Sequence, residues 1–138
     1  MGLTIIDAGI LIGFFDQRDL HHVGAVNELA NAQRRGDRIA IRASGFAEAL
    51  ASPSRVSDSP VATIRDFVEQ FPLDVEEITF ETALVAAKMR AQFGQRVKLP
   101  DALVIACAIE RQATTLVTAD RDWPLKHELG FGGDLVLL

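Results

Sequence analysis

The sequence predicts a three-layer α/β/α sandwich built on a central, mostly parallel sheet. Short apolar runs alternate along the chain with longer segments whose apolar residues recur at helical spacing. Strands separated by helices imply parallel pairing, with the helices packed over both faces of the sheet. The chain has 138 residues, 49% of them apolar, which is enough to bury a proper core within one domain. No linker, repeat or low-complexity stretch divides it, so residues 1–138 are expected to form one domain.

The elements follow in order. Leu3–Ile6 is a short apolar run closed by Asp7 and reads as a buried strand. Residues 10–15 are apolar and form a short helix. Residues 21–35 place Val23, Val26, Leu29 and Ala30 at helical spacing. They end on Arg34 and Arg35 before Gly36, a favourable helix C-terminus. Arg38–Arg42 alternates charged and apolar positions and is the second strand. Residues 43–51 form a short helix that stops before Ser52 and Pro53. Residues 59–71 open with a serine cap and Pro60 at the first helical position, a second helix in succession.

A third strand is expected at 73–75. Residues 79–93 form a helix with Thr79 as its cap, Glu81 in its first turn and Gly94 at its end. Residues 100–111 form a strongly apolar helix. Thr115–Thr118 is a strand, 124–128 a brief helix and 135–138 the last strand.

Bulk properties exclude several function classes. No apolar run approaches the roughly 20 residues that span a bilayer. The opening run lacks a basic leader, so a cleaved signal is not expected. Cys107 is the one cysteine and cannot form an internal disulfide, which suits a reducing, cytoplasmic setting. The formal charge of −5 argues against nucleic-acid binding by basicity alone, although 11 of the 14 cations are arginines, the better phosphate ligands.

Four carboxylates fall on one edge. In an open parallel sheet, functional residues gather where the strands end, and the N-terminal turns of the returning helices lie on that same edge. Asp7 follows the first strand, Glu48 lies early in the helix after the second, Asp101 opens the apolar helix and Asp120 follows the strand Thr115–Thr118. Each has a plainer reading alone. Asp7 can cap a helix, Asp101 is favoured in a first turn by the helix dipole and Asp120 suits a turn. Glu48 is harder to dismiss, being the one charge between Ala43 and Ala51, with Ser44 one turn earlier and placed to orient it.

Clustered acids repel by roughly 1–4 kcal/mol per close pair, and a hard divalent cation is the usual compensation. No Cys/His spacing supports zinc, because Cys107 is alone and His21, His22 and His127 sit off the predicted edge. Mg²⁺ or Mn²⁺ is therefore the expected ion. Arg42 and Arg121 are the arginines best placed by sequence to clamp phosphates. Cys107 reads as a small core residue, and Gly130, Gly132 and Gly133 as a loop without the Lys-Ser/Thr of a nucleotide cradle. Phe14 and Phe15 serve either the core or a partner surface.

These residues resemble the PIN-domain family, particularly the VapC-type toxins of type II toxin–antitoxin modules. Ile5-Ile6-Asp7-Ala8-Gly9-Ile10-Leu11-Ile12 is similar to the family's opening. Ala43-Ser44-Gly45-Phe46-Ala47-Glu48-Ala49-Leu50, followed by Pro53, is similar to its second motif. Leu99-Pro100-Asp101-Ala102-Leu103-Val104-Ile105-Ala106 is similar to the third, and Leu116-Val117-Thr118-Ala119-Asp120 to the fourth. Four motifs in order span essentially the whole chain. The resemblance implies a metal-dependent endoribonuclease with Asp7, Glu48, Asp101 and Asp120 as metal-binding, catalytic acids. Asp122 stands by as a further acid, since members vary in which acid of that loop they use. It also implies an RNA substrate, a cognate antitoxin and a homodimer. RNA processing, or a non-catalytic PIN-like binding module, are the alternatives the resemblance leaves open. One departure stands out: many members carry Ser or Thr directly after the first acid, where this chain has Ala8-Gly9.

Overall fold

The computed structural model describes residues 1–138. Five strands make one sheet: β1 Leu3–Ile6, β2 Arg38–Arg42, β3 Asp74–Glu76, β4 Thr115–Thr118 and β5 Asp134–Leu137. Their order is β3-β2-β1-β4-β5, and all four neighbouring pairs are parallel. Parallel neighbours need long crossovers. These are supplied by α1 Ala8–Phe15, α2 His22–Arg35, α3 Ala43–Val56, α4 Asp58–Gln70, α5 Phe80–Phe93, α6 Leu99–Glu110 and α7 Lys126–Leu129.

Strand side chains alternate between two apolar layers, as the pleat requires. Ile5, Ala40 and Leu116 face a core built with Ala86 and Met89 of α5 and Val104, Ile105 and Ala108 of α6. Ile6, Ile39, Ile41 and Val117 face the opposite core, with Ile10 and Leu11 of α1, Leu29 of α2 and Ala49 of α3. Ile5 and Ile6 are fully buried, on opposite faces. Burying each contributes about 2–3 kcal/mol. The three-layer expectation holds.

Local signals set most of the ends. Gly36 takes the left-handed conformation (φ 73°) that closes α2. Thr79 and Thr82 cap α5 reciprocally, and Glu81 lies in its first turn.

Several boundaries differ from expectation by one or two residues, among them α1, which begins at Ala8, and α7, which is Lys126–Leu129; three differences have clear physical reasons. Helix α3 runs through Pro53 to Val56; packing against α4 outweighs the one backbone donor that Pro53 lacks. Helix α4 begins at Asp58, which makes Pro60 its third residue, still within the turn where no N–H partner is needed. Strand β3 lies one residue later than the apolar pattern suggests, because Leu73 is spent on the helical core and the charged Glu76 closes the strand.

The strand order places the functional edge. From β1 the chain winds outward through β2 and β3, then crosses back to β4 and β5 on the other side. The connections leaving β1 and β4 therefore diverge, and a crevice opens beyond their C-terminal ends.

Candidate functional site

Asp7 is the first residue past β1. Its N–H donates to the Val117 carbonyl (3.1 Å), which fixes it beside β4. Its carboxylate accepts the Ile10 N–H (3.3 Å) as the cap of α1 and the hydroxyl proton of Thr118. The capping role and the site role are therefore held by one side chain. Thr118 also accepts the Asp120 N–H (3.0 Å), so one hydroxyl at the end of β4 orders two of the acids. Asp101 stands in the first turn of α6, after Pro100, and Glu48 in the second turn of α3. All four carboxylates line one open depression of about 260 Å³, shared with Ala8, Gly9, Pro100, Val104 and Ala119.

Electrostatics tie the four together. Burial pushes the Asp7 carboxyl up to about 6, against the pull of its bonds from Thr118 and Ile10, and the charges of Asp101 and Asp120 add to the rise. Asp101 is raised first by burial and then by Asp120 and Glu48; proximity to Trp123 and Lys98 works the other way. The side chains stand apart, and no three converge closely enough to hold one ion as they lie. Mutual repulsion favours that spacing. The donors are carboxylate oxygens alone, with no sulfur or imidazole, a set that suits a hard dication such as Mg²⁺ or Mn²⁺.

Other expected residues fall elsewhere. Arg42 does not reach the site: it is fully buried and faces α5 and α6, donating to Thr82 (3.2 Å) beside Glu110 (4.0 Å). It alternates to the opposite face from Ile41, which sequence position alone did not weigh against its charge. Arg121 is exposed next to Asp120. Asp122 is exposed and outside the lining, its N–H donating to Asp120 Oδ1 (2.9 Å). Ser44 Oγ is buried without a partner and does not orient Glu48.

His22 is half-buried against the Gly13 carbonyl (2.8 Å). Cys107 is a core residue whose thiol burial pushes up to about 11. Phe14 and Phe15 pack edge-on or tilted against each other and Phe67 in a partly buried aromatic group that serves the fold, and Phe15 also lines a groove between α1, α3 and α4. Ala8 is buried in the lining, where a serine or threonine would have offered a hydroxyl.

Sequence reasoning missed three neighbours of the acids. Thr118 had a signal, a polar residue closing an apolar strand two positions before Asp120. Trp123 and Lys98 had none, since their approach to Asp101 depends on how the Asp120 loop and the start of α6 are brought together.

A family model for the PIN domain matches residues 4–127. No curated protein matches the sequence. Among solved structures, VapBC2 from Rickettsia felis bound to a DNA fragment from its promoter is similar, at TM-score 0.69 and 17% identity over 96% of each chain. DNA-bound VapBC from Salmonella typhimurium is similar at TM-score 0.69 and 19% identity, over 98% of this chain and 97% of that one. VapC20 from Mycobacterium tuberculosis, a sarcin-ricin loop cleaving toxin, is similar at TM-score 0.68 and 12% identity, over 82% of this chain and 86% of that one. At these identities the likeness is one of fold.

Proposed function

The chain belongs to the PIN domain family, and from that premise we propose that it is a metal-dependent endoribonuclease, the toxin of a type II toxin–antitoxin module. Residues 1–138 act as one nuclease domain, in the cytoplasm. The observation that carries this reading is the depression at the β1/β4 crevice, which four carboxylates from four separate elements line together, with Lys98 as the cation whose charge reaches Asp101. An unbalanced cluster of that kind costs stability and is retained for what it binds.

Asp7, Glu48, Asp101 and Asp120 would hold Mg²⁺ or Mn²⁺. Such an ion supplies an acidified water and neutralises charge gathering on the phosphoryl oxygens. The protein's own part is positional. Asp7 is fixed by two hydrogen bonds and the β1–β4 ladder. Asp120 is held through its backbone by Thr118, and Asp101 by the first turn of α6. Glu48 is exposed at the rim and free to swing inward. Lys98 and Arg121, both exposed, are the cations placed to meet RNA phosphates.

Two surfaces support the proposed partners. An apolar groove of about 440 Å³ between α1, α3 and α4 meets the depression at Glu48, and it suits an apolar antitoxin segment. Phe80 and Leu84 leave an exposed apolar face on α5, which suits a second copy of the chain.

Purified protein incubated with total RNA should cleave it in Mg²⁺ or Mn²⁺ and stop on chelation. Undiminished cleavage in excess EDTA would sink the mechanism. Expression of the chain alone should arrest growth, with relief from its genomic neighbour. Normal growth with active protein would point instead to RNA processing.

A further inference from the structure

Acids outnumber cations in this chain, 19 to 14, yet residues 82–100 carry Lys88, Arg90, Arg96 and Lys98 and no acid. That stretch runs straight into Pro100 and Asp101 on the wall of the depression. Its final turn is built to a fixed shape. Gly94 closes α5 at a positive φ of 57°, which favours glycine. The Arg90 guanidinium folds back and donates to the carbonyls of Gly94 and Val97, both at 2.7 Å. Val97 is fully buried and pins the turn, while Arg96 and Lys98 on either side of it are exposed.

Arg96 is oriented without being consumed. Its guanidinium lies over the Phe93 ring, 5.8 Å from the centroid, and its Nη2 is 3.5 Å from Glu128 Oε2. The same carboxylate accepts the Leu125 N–H (2.9 Å), which holds it where it stands. The Arg96 and Glu128 side chains are 57% and 36% exposed, and an ion pair so open is weak and exchanges readily. It also ties the 94–98 turn to the segment running on from Asp120, which carries Arg121 and Lys126, both exposed. Lys98, Arg121 and Lys126 have no ion-pair partner. Two segments rich in available cations therefore lead to Asp101 and Asp120, on one flank of the depression.

We propose that this flank is a seat for the RNA backbone, in which Arg96 takes a phosphate neighbouring the reacting one and Glu128 holds the guanidinium until RNA displaces it. The proposal rests on the nuclease reading above and deepens it by assigning the side on which the strand leaves the depression. A guanidinium offers paired donors that match phosphate oxygens. RNA repeats its charge at every nucleotide, so a strand with one phosphate at the proposed ion carries the next ones out over these cations. An acidic protein segment would meet the same charges but has no such continuity with the depression.

Binding of a fluorescein-labelled single-stranded RNA, read by anisotropy in chelator so that none is cut, tests this across a range of salt. Arg96→Gln should weaken binding about three- to tenfold. It should also flatten the slope of log affinity against log salt by about 0.7, the share of one phosphate contact. Glu128→Gln keeps an oxygen for the Leu125 N–H but releases Arg96, and should tighten binding about threefold. The two substitutions act in opposite directions, so a folding defect cannot mimic both. Arg34→Gln is the control: it makes the same charge change at the exposed end of α2, on the opposite edge of the sheet. Screening by salt should hold its effect below about twofold. An Arg96→Gln protein that binds RNA no worse than Arg34→Gln overturns the proposal and leaves the flank to an acidic protein partner. So does a Glu128→Gln protein that binds no tighter than the wild type. In either case the nuclease reading stands if the wild type still binds RNA and melts higher with Mn²⁺. A wild type that binds no RNA even at low salt overturns both.

Discussion

Asp7 and Glu76 are both carboxylates at strand ends, 9% and 8% exposed, yet the fold surrounds them in opposite ways. Glu76 lies between Arg111 (2.7 Å) and Arg38 (3.6 Å). Next to it in register is Arg42, which in turn has Glu110. Acids and bases alternate through that cluster, so opposite charges stand side by side, although Arg42 Nε and Nη1 have no hydrogen-bond partner of their own. Asp7 has two hydrogen bonds and, beyond them, further acids. A balanced buried cluster stabilises or neutralises itself and needs nothing from outside. An unbalanced one is held by the rest of the fold and is completed by a ligand. On the function proposed above, that difference separates structural charge from functional charge within one small chain.

The largest expected effect falls on activity. Asp101→Asn or Asp7→Asn should reduce RNA cleavage by about 100-fold or more, since loss of a ligand displaces the reacting ion. The metal-free variants should melt no lower than the wild type. Each 1 kcal/mol of relieved repulsion is worth about 3 °C in a domain of this size. Variants that unfold would put Asp7 and Asp101 on the structural side of the comparison.

Proton linkage comes next. Asp7 titrates near 6 in the folded chain against 3.8 when unfolded, so between those values the native state binds more protons. Its contribution to stability is fully present below about pH 4 and is lost as pH rises through 6. At about 1.4 kcal/mol per pH unit, metal-free wild type should lose up to about 3 kcal/mol relative to Asp7→Asn between pH 4 and pH 7. Parallel stability curves for the two proteins, from urea unfolding, would remove Asp7 from the unbalanced cluster.

Glu110→Gln tests the balanced side. It leaves the Arg42 guanidinium buried without its carboxylate, for a cost of about 2–3 kcal/mol and a melting temperature lower by about 8 °C. Cleavage should stay near wild type. Adding Arg42→Met should recover much of the loss, because the stranded charge is then gone. A double variant no better than Glu110→Gln alone would show that the pair was not what mattered. The smallest effect belongs to Arg38→Ala. Arg38 is about half exposed, so its pairs with Asp74 and Glu76 are screened by water, and the variant should lose less than about 1 kcal/mol.

The same contrast explains what was legible in the sequence. Strand positions could be read because Leu3–Ile6 and Thr115–Thr118 are apolar on both faces, as strands of a covered parallel sheet must be. Asp7, Asp101 and Asp120 could be read because each sits at an element boundary, and boundaries of parallel strands share one edge; Glu48, a turn inside α3, could be read as the lone charge between Ala43 and Ala51. Arg42 was misplaced because alternation by one residue sends it to the far face from Ile41, and an arginine there is stable only through partners 40 and 68 positions away, Thr82 and Glu110. Trp123 was invisible as a site neighbour for a similar reason. Its approach to Asp101 joins a loop after β4 to the start of a helix before it. No local pattern encodes such a meeting.

The central claim is that the unbalanced carboxylates are completed by a divalent cation, and thermal melting against Mn²⁺ concentration tests it most directly. Chelated wild type and Asp101→Asn should be titrated side by side, at a pH above 7 where the acids are charged. An ion that binds only the folded state stabilises it by about 2.7 kcal/mol at 100 times its dissociation constant, or about 9 °C here. The account predicts a saturable rise of that order in the wild type and little or none in Asp101→Asn. An equal rise in both proteins, or none in the wild type, would contradict it.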